Sequence, residues 1–255
     1  MKKTFIVSGA GTGIGRATAI DLAKHYSARI CLIGRREDKL EETKSLLTDP
    51  QSHFVIPCDT LDSGKIRSRF KEIELDKLNL CGIIANAGLG GANIYGQNDR
   101  WTEVLSVNLT GPYILVNEAL YALKNSQEKF RNIILISSIL AKMGAPGHSA
   151  YCASKAGLLG LSRTWSMELG KDNIMVNCIC PGWVDTNMAR EGIQGIAKAT
   201  GQSFEQAYQQ QMALLPLGKW SDPSEIAAMV RYMVSPEQKS ITGQSFDINN
   251  GALMP

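Results

Sequence analysis

Short apolar runs alternate with longer stretches of helical spacing along the whole chain. The first run, Thr4-Phe5-Ile6-Val7, is bounded by Ser8-Gly9 and reads as a short buried strand. Strands are predicted at 4–8, 29–34, 53–57, 81–86, 131–137, 174–180 and 245–248. Between them the spacing predicts helices near 14–26, 37–47, 62–73, 100–123, 150–170 and 222–234. Asp222-Pro223-Ser224-Glu225 has the form of a helix start, with Asp at the N-cap, Pro at N1 and Glu at N3. Such alternation predicts an α/β fold, a doubly wound parallel sheet with helices on both faces. Right-handed crossovers then open a ligand crevice at the carboxyl ends of the strands. No linker, repeat or low-complexity tract interrupts residues 1–255, so one domain is expected.

The turn after the first strand adds chemistry to this picture. Ser8-Gly9-Ala10-Gly11-Thr12-Gly13-Ile14-Gly15 leads into helical spacing at 16–23. A strand, a glycine turn and a helix aim backbone N–H groups at a phosphate, which makes the sheet Rossmann-type. The spacing is Gly9-x-x-x-Gly13-x-Gly15, not G-x-G-x-x-G, and no G-K-[ST] follows to make a Walker loop. Glycine also serves any positive-φ turn, so the spacing alone leaves a ligand-free turn open.

A second constellation is Ser137-Ser138 followed by Tyr151-Cys152-Ala153-Ser154-Lys155. Tyrosine and lysine four apart lie on one helix face. A phenol with pKa ~10 is a poor acid or base at neutral pH, and a nearby ammonium favours its anion.

Together these residues resemble the short-chain dehydrogenase/reductase family in its compact single-domain form. Asn86-Ala87-Gly88, Asn108 within Val107-Asn108-Leu109-Thr110-Gly111, Pro181-Gly182 and Ile241-Thr242-Gly243 extend the resemblance over nearly the whole chain. It implies a nicotinamide-linked oxidoreductase interconverting a ketone and a secondary alcohol. Tyr151 would be the acid/base, and Lys155 would stabilise its phenolate and bind the nicotinamide ribose. Ser138 would hold the substrate oxygen, and Asn108 a helix distortion with a water leading protons to Lys155. By the same resemblance Gly9, Thr12, Gly13, Ile14 and Gly15 approach the pyrophosphate and adjoining ribose. Asp59 and Thr60 lie near adenine, and Asn86, Ala87 and Gly88 pass close to the nucleotide. Pro181, Gly182, Val184 and Thr186 close over the nicotinamide. Within the family the chain is similar to 3-oxoacyl carrier-protein reductases and polyketide-type ketoreductases.

Cofactor preference is read at the end of the second strand, Ile33-Gly34-Arg35-Arg36-Glu37. An NAD site usually places an acid there to bind the ribose hydroxyls. Gly34 takes that place and Arg35 follows, with a guanidinium suited to a 2′-phosphate and Arg36 as helper. NADP(H) is expected, with NAD(H) the alternative should Glu37 and Asp38 neutralise the arginines.

Residues 187–218 supply Met188, Ile193, Ile196, Phe204, Tyr208, Met212, Leu214 and Leu215. They resemble the family's variable substrate lid, although an amphipathic packing helix has the same pattern. With Ile139, Leu140, Met143, Leu89 and Trp183 they suit a 3-oxoacyl thioester or a cyclic or aliphatic ketone. Lys124, Lys129, Arg131, Lys171 and Arg190 would meet an acyl carrier protein or CoA phosphates. The segments 100–123 and 150–170 resemble the helices through which relatives form homodimers and homotetramers.

Composition narrows the classes further. A net charge of +3, from 27 basic and 24 acidic residues, argues against a nucleic-acid groove or membrane patch. No stretch approaches the ~20 apolar residues of a membrane helix. The six cysteines form no C-x-x-C and suit a reducing cytoplasm, and the three histidines have no ligand-like spacing, so no metal is expected. Competing readings are an NAD-linked hydroxyacyl-CoA or cyclic-alcohol dehydrogenase, and a non-catalytic dinucleotide sensor. A nucleotide-sugar epimerase shares Y-x-x-x-K but usually needs a larger C-terminal region.

Overall fold

In the computed structural model, which describes residues 1–93 and 95–254, every predicted strand is present. They are β1 (Lys3–Ser8), β2 (Arg29–Gly34), β3 (Phe54–Pro57), β4 (Asn79–Ala85), β5 (Arg131–Ile136), β6 (Ile174–Pro181) and β7 (Ser245–Ile248). All pair in parallel in one sheet of order β3-β2-β1-β4-β5-β6-β7. The central strands β4, β5 and β6 are buried along their whole length, because helices cover both faces.

One face carries α1 (Gly13–Tyr26), α2 (Glu37–Ser45) and α9 (Pro223–Met233), whose Leu22, Leu40, Ile226 and Val230 pack with Phe5, Ile30, Leu32 and Ile84. The other carries α3 (Ser63–Glu72), α5 (Gly111–Lys124) and α6 (Ser149–Leu169), where Ile66, Phe70, Leu115 and Leu158 meet Ile6, Ile83, Ile133 and Val176. The α9 start forms the expected capping box, with Asp222 and Glu225 bonding each other's backbone N–H or that of the first turn.

The order reverses at β1, which has β2 on one side and β4 on the other. The segments following β1 and β4 therefore part, and the crevice opens between them.

The single helix expected over 100–123 is divided. Between α4 (Trp101–Leu105) and α5 lies a π-helical segment, Ser106–Thr110, where Gly111 N–H bonds the Ser106 carbonyl five residues back. Pro112 explains the break. It has no N–H for the Asn108 carbonyl four residues earlier, and its ring would clash with that oxygen in α register.

Between β6 and α9 the chain forms α7 (Asn187–Thr200) and α8 (Phe204–Ala213). These two helices build a small core of their own from Ile193, Ala197 and Ala207, flanked by Trp183, Phe204 and Tyr208.

Candidate active site

The glycine turn is shaped by close backbone approach. Gly9 has φ +64°, and a Cβ there would lie 2.8 Å from the Asn86 Nδ2. A Cβ on Gly15 would overlap the Gly9 carbonyl oxygen and lie 2.6 Å from the same Nδ2. Asn86 donates from Nδ2 to the Ser8 carbonyl at 3.0 Å, while its N–H and that of Ala87 both donate to Ser8 Oγ at 3.0 Å. The β1 and β4 ends are thereby tied together across the switch point. Gly15→Ala is expected to destabilise the fold by about 3 kcal/mol, since an added carbon meets immobile backbone. Thermal denaturation checks this, with a melting temperature lowered by roughly 6–10 °C.

The first turn of α1 is left open. Thr12 sits at its N-cap in extended conformation and makes no side-chain cap, as at the starts of α2 and α6, whereas Asp62, Thr186, Ser203 and Asp222 cap their own helices. Uncapped N–H groups at the positive end of the helix dipole suit an anion. Gly13, at φ +54°, faces Thr186 across the crevice, 3.0 Å from a Cβ to the Thr186 methyl. The segment Pro181–Thr186 thus lies opposite the turn, with Val184 buried and Gly182 N–H bonded to the Ile248 carbonyl at 2.9 Å.

Arg35 and Arg36 follow β2 and are exposed, and among the described residues neither forms an ion pair with Glu37 or Asp38. Neutralisation by those acids, which would favour NAD(H), is therefore not seen. Asp59 is half-buried and spends Oδ1 on the Leu61 N–H at 2.9 Å. Thr60 departs from the expected adenine contact. Its side chain is buried against the start of α5, where a Cβ on Gly111 would stand 2.7 Å from Oγ1.

On the far side of the crevice, Asn108, Ser138, Tyr151 and Lys155 converge below Gly88. A Cβ on Gly88 would stand 3.1 Å from Asn108 Oδ1 and 3.5 Å from Lys155 Nζ. The Asn108 amide is fully engaged with neighbours: Oδ1 accepts from Leu89 N–H at 2.7 Å, and Nδ2 donates to the Leu89 carbonyl at 2.9 Å and to Ser154 Oγ at 3.2 Å. The π segment is what presents this side chain to the β4 loop. Ser138 lies two residues beyond β5 and caps the short turn that follows, its Oγ accepting from Leu140 N–H at 3.1 Å. Ser137 points elsewhere, donating to the Lys155 carbonyl at 2.9 Å.

Lys155 is buried, and its ammonium donates to the Ile136 carbonyl at 2.9 Å while standing 5.7 Å from the Tyr151 ring centroid. Burial pushes its pKa down to about 8, opposed by the neighbouring Cys178 and Cys180 thiols. Tyr151 differs from the simple expectation that a nearby ammonium dominates the phenol. Burial raises its pKa, outweighing the opposing effect of the adjacent Ser138 hydroxyl. In this state the phenol is a held proton donor.

Several expected pocket walls are packing residues instead. Ile193, Met212 and Leu215 are buried, and Tyr208 lies 4.7 Å from Trp220, centroid to centroid. Met188 remains 42% exposed beside Gly90, and Met143 is 41% exposed, so both can face a ligand. Three of the five expected cations are likewise engaged. Lys124 pairs with Asp172, Arg131 caps backbone carbonyls, and Arg190 pairs with Asp185 and covers the Trp220 ring. Ser8 and Ser154 escape sequence reasoning, because neither hydroxyl belongs to a recognised spacing.

The crevice fits a phosphorylated dinucleotide on two grounds: a helix start with no side-chain cap after the glycine turn, and exposed guanidinium groups beyond β2 that pair with no acid among the described residues. Among the described residues no cluster of His, Cys, Asp or Glu could hold a metal ion.

A family model described as Enoyl-(Acyl carrier protein) reductase matches residues 9–252. The 3-oxoacyl-[acyl-carrier-protein] reductase FabG of Rickettsia conorii is 30% identical over 254 residues, covering 99% of this chain and 97% of the relative. Among solved structures, a phenylalanine-to-tryptophan variant of actinorhodin polyketide ketoreductase with NADPH superposes with a TM-score of 0.91 at 28% identity, covering 98% of this chain and 97% of that one. YwfH, an NADPH-dependent reductase involved in bacilysin biosynthesis, gives 0.89 at 25% identity with both chains covered in full.

Proposed function

Because the chain belongs to the short-chain dehydrogenase/reductase family, we propose that it is an NADP(H)-dependent reductase of a 3-oxoacyl thioester. The observation that carries this is the convergence of Ser138, Tyr151 and Lys155 on the side of the crevice facing the glycine turn and Arg35. Relatives named for 3-oxoacyl-carrier and polyketide ketone reduction support the same reaction.

NADPH, when bound, supplies the hydride. Its phosphates would be held by the N–H groups of Thr12, Gly13 and Ile14 and by Arg35, with Gly9 and Gly15 permitting the approach. Asn86, Ala87 and Gly88 would line the nucleotide from β4. Pro181, Gly182, Val184 and Thr186 would lie over the nicotinamide, and Asp59 and the Thr60 backbone beside adenine. Ser138 holds the substrate oxygen, and Tyr151 gives its phenolic proton to that oxygen as negative charge develops. Lys155 then stabilises the phenolate, and Asn108 holds the Leu89 loop over the ammonium. Lys155 must be charged for this, and its proton is present below about 8. The free-enzyme profile, kcat/KM for reduction, is therefore expected to fall as pH rises through about 8. A profile flat to well above that pH would contradict the role of the charge.

Exposed Met188 and Met143 at the crevice mouth support an apolar acyl chain. Lys129 and Lys171 are the expected cations left for carrier or CoA phosphates. On the far side of α5 and α6, Tyr113 is 50% exposed and lines a groove with Val116, Leu120 and Trp165. That surface supports a homodimer or homotetramer built through these helices, and sedimentation tests it. Among the described residues no helix is long and apolar enough to cross a membrane. The free cysteines, of which only Cys152 is not buried, suit the reducing cytoplasm. Initial rates with acetoacetyl-CoA, a 3-oxoacyl carrier thioester and cyclic ketones test the substrate. Thioester reduction supports this reading, and activity confined to cyclic ketones overturns it.

A further inference from the structure

Lys142 stands at the far end of the turn that begins with Ser138. Only one 3₁₀ turn, Ile139–Ala141, separates them, with Ala141 N–H on the Ser138 carbonyl at 3.0 Å and Lys142 N–H on the Ile139 carbonyl at 2.9 Å. So short a helix has little stability of its own. At its start the turn is anchored by Ser137, whose N–H bonds the Ile179 carbonyl at 2.7 Å. At its end the anchor is ionic. Lys142 Nζ lies 2.8 Å from Asp247 Oδ2 and 3.5 Å from the Ser245 carbonyl, both on β7. The two side chains are only 20% and 16% exposed, so water competes weakly for either charge. Among the described residues Asp247 Oδ1 is buried with no hydrogen-bond partner, and Lys142 is the group that answers the carboxylate. A largely buried ion pair costs desolvation that a hydrophobic pair would not, so it is weak as a stability device. What it provides is direction: it fixes one end of the catalytic turn to the last strand of the sheet.

We propose that the Lys142–Asp247 pair positions Ser138, holding its hydroxyl beside Tyr151 in the orientation that receives the substrate oxygen. Lys142 and Asp247 touch no reacting atom; they are positioning residues acting through Ser138, and the inference rests on the Ser138 role proposed above.

Lys142→Met alone would strand a buried carboxylate, so the test uses Lys142→Met/Asp247→Leu, which removes both charges together. The paired variant is expected to lower kcat about tenfold, because a catalytic group displaced by a fraction of an ångström loses much of its effect. NADPH affinity, read by fluorescence titration, stays within about twofold, since the turn does not carry the cofactor. In a Ser138→Ala background the same pair of substitutions is expected to cost less than about twofold, because the group it orients is already gone. A tenfold loss in both backgrounds would make the pair a general structural element and overturn the proposal, as would a wild-type kcat in the paired variant. Should Ser138→Ala itself retain the wild-type kcat, the Ser138 role fails, and this inference falls with it.

Discussion

Tyr151→Phe is expected to lower kcat for ketone reduction by about 10³-fold, in the range that a positioned general acid supplies. That corresponds to roughly 4 kcal/mol of transition-state stabilisation. The substitution removes the one proton donor that the site aligns beside the Ser138 hydroxyl. It leaves the ring, and with it the contact to the Lys155 ammonium 5.7 Å from the centroid. Cofactor affinity should therefore be retained within about twofold, as for an interaction made only in the transition state. Since burial already holds the phenol in its neutral form, phenylalanine adds no buried charge and the melting temperature should move little. A kcat within threefold of wild type, or a loss of rate matched by a loss of NADPH binding, would contradict the acid role.

Arg35→Asp is expected to lower the ratio of kcat/KM for NADPH over NADH by about 10²–10³-fold, from the loss of charge-assisted bonds and the gain of like-charge repulsion. Arg35 is exposed at the end of β2 and is engaged by no acid among the described residues. Its charge is therefore available to a 2′-phosphate, and its removal should not disturb the fold. A carboxylate at that place repels a phosphate and accepts from ribose hydroxyls, so NADH use should rise as NADPH use falls. An unchanged ratio would move phosphate recognition away from Arg35. Equal losses with both cofactors would point to local disruption instead.

The strands were legible because parallel strands covered on both faces are mostly apolar, as the runs at 29–34, 131–137 and 174–180 are, even though Asn132 and Asn177 lie buried within them. The cluster was legible as well, because Tyr151 and Lys155 are local to one helix and the glycine turn follows β1 directly. What escaped depends on contacts between distant residues. The pair Lys142–Asp247 joins residues 105 positions apart, and nothing in either neighbourhood announces the other. Amphipathic spacing in α7 and α8 could not say whether Ile193 and Met212 face a ligand or each other's helix, and they are buried in packing. Charge alone likewise could not distinguish Lys124, already paired with Asp172, from the exposed Lys129. Thr60 was placed by its neighbour Asp59, yet its side chain packs on Gly111. The break in the 100–123 helix did have a local signal in Pro112, whose missing N–H falls four residues after Asn108.

Hydride delivery to a 3-oxo carbon is checked by supplying NADPH stereospecifically deuterated at nicotinamide C4, each face in turn, with a 3-oxobutyryl thioester and analysing the 3-hydroxy product by mass spectrometry. One deuterium at C3 of the product from one labelled face, and none from the other, is the expected result. Product without deuterium from either face, or no hydroxy product while NADPH remains bound, would rule out hydride transfer from the cofactor to C3.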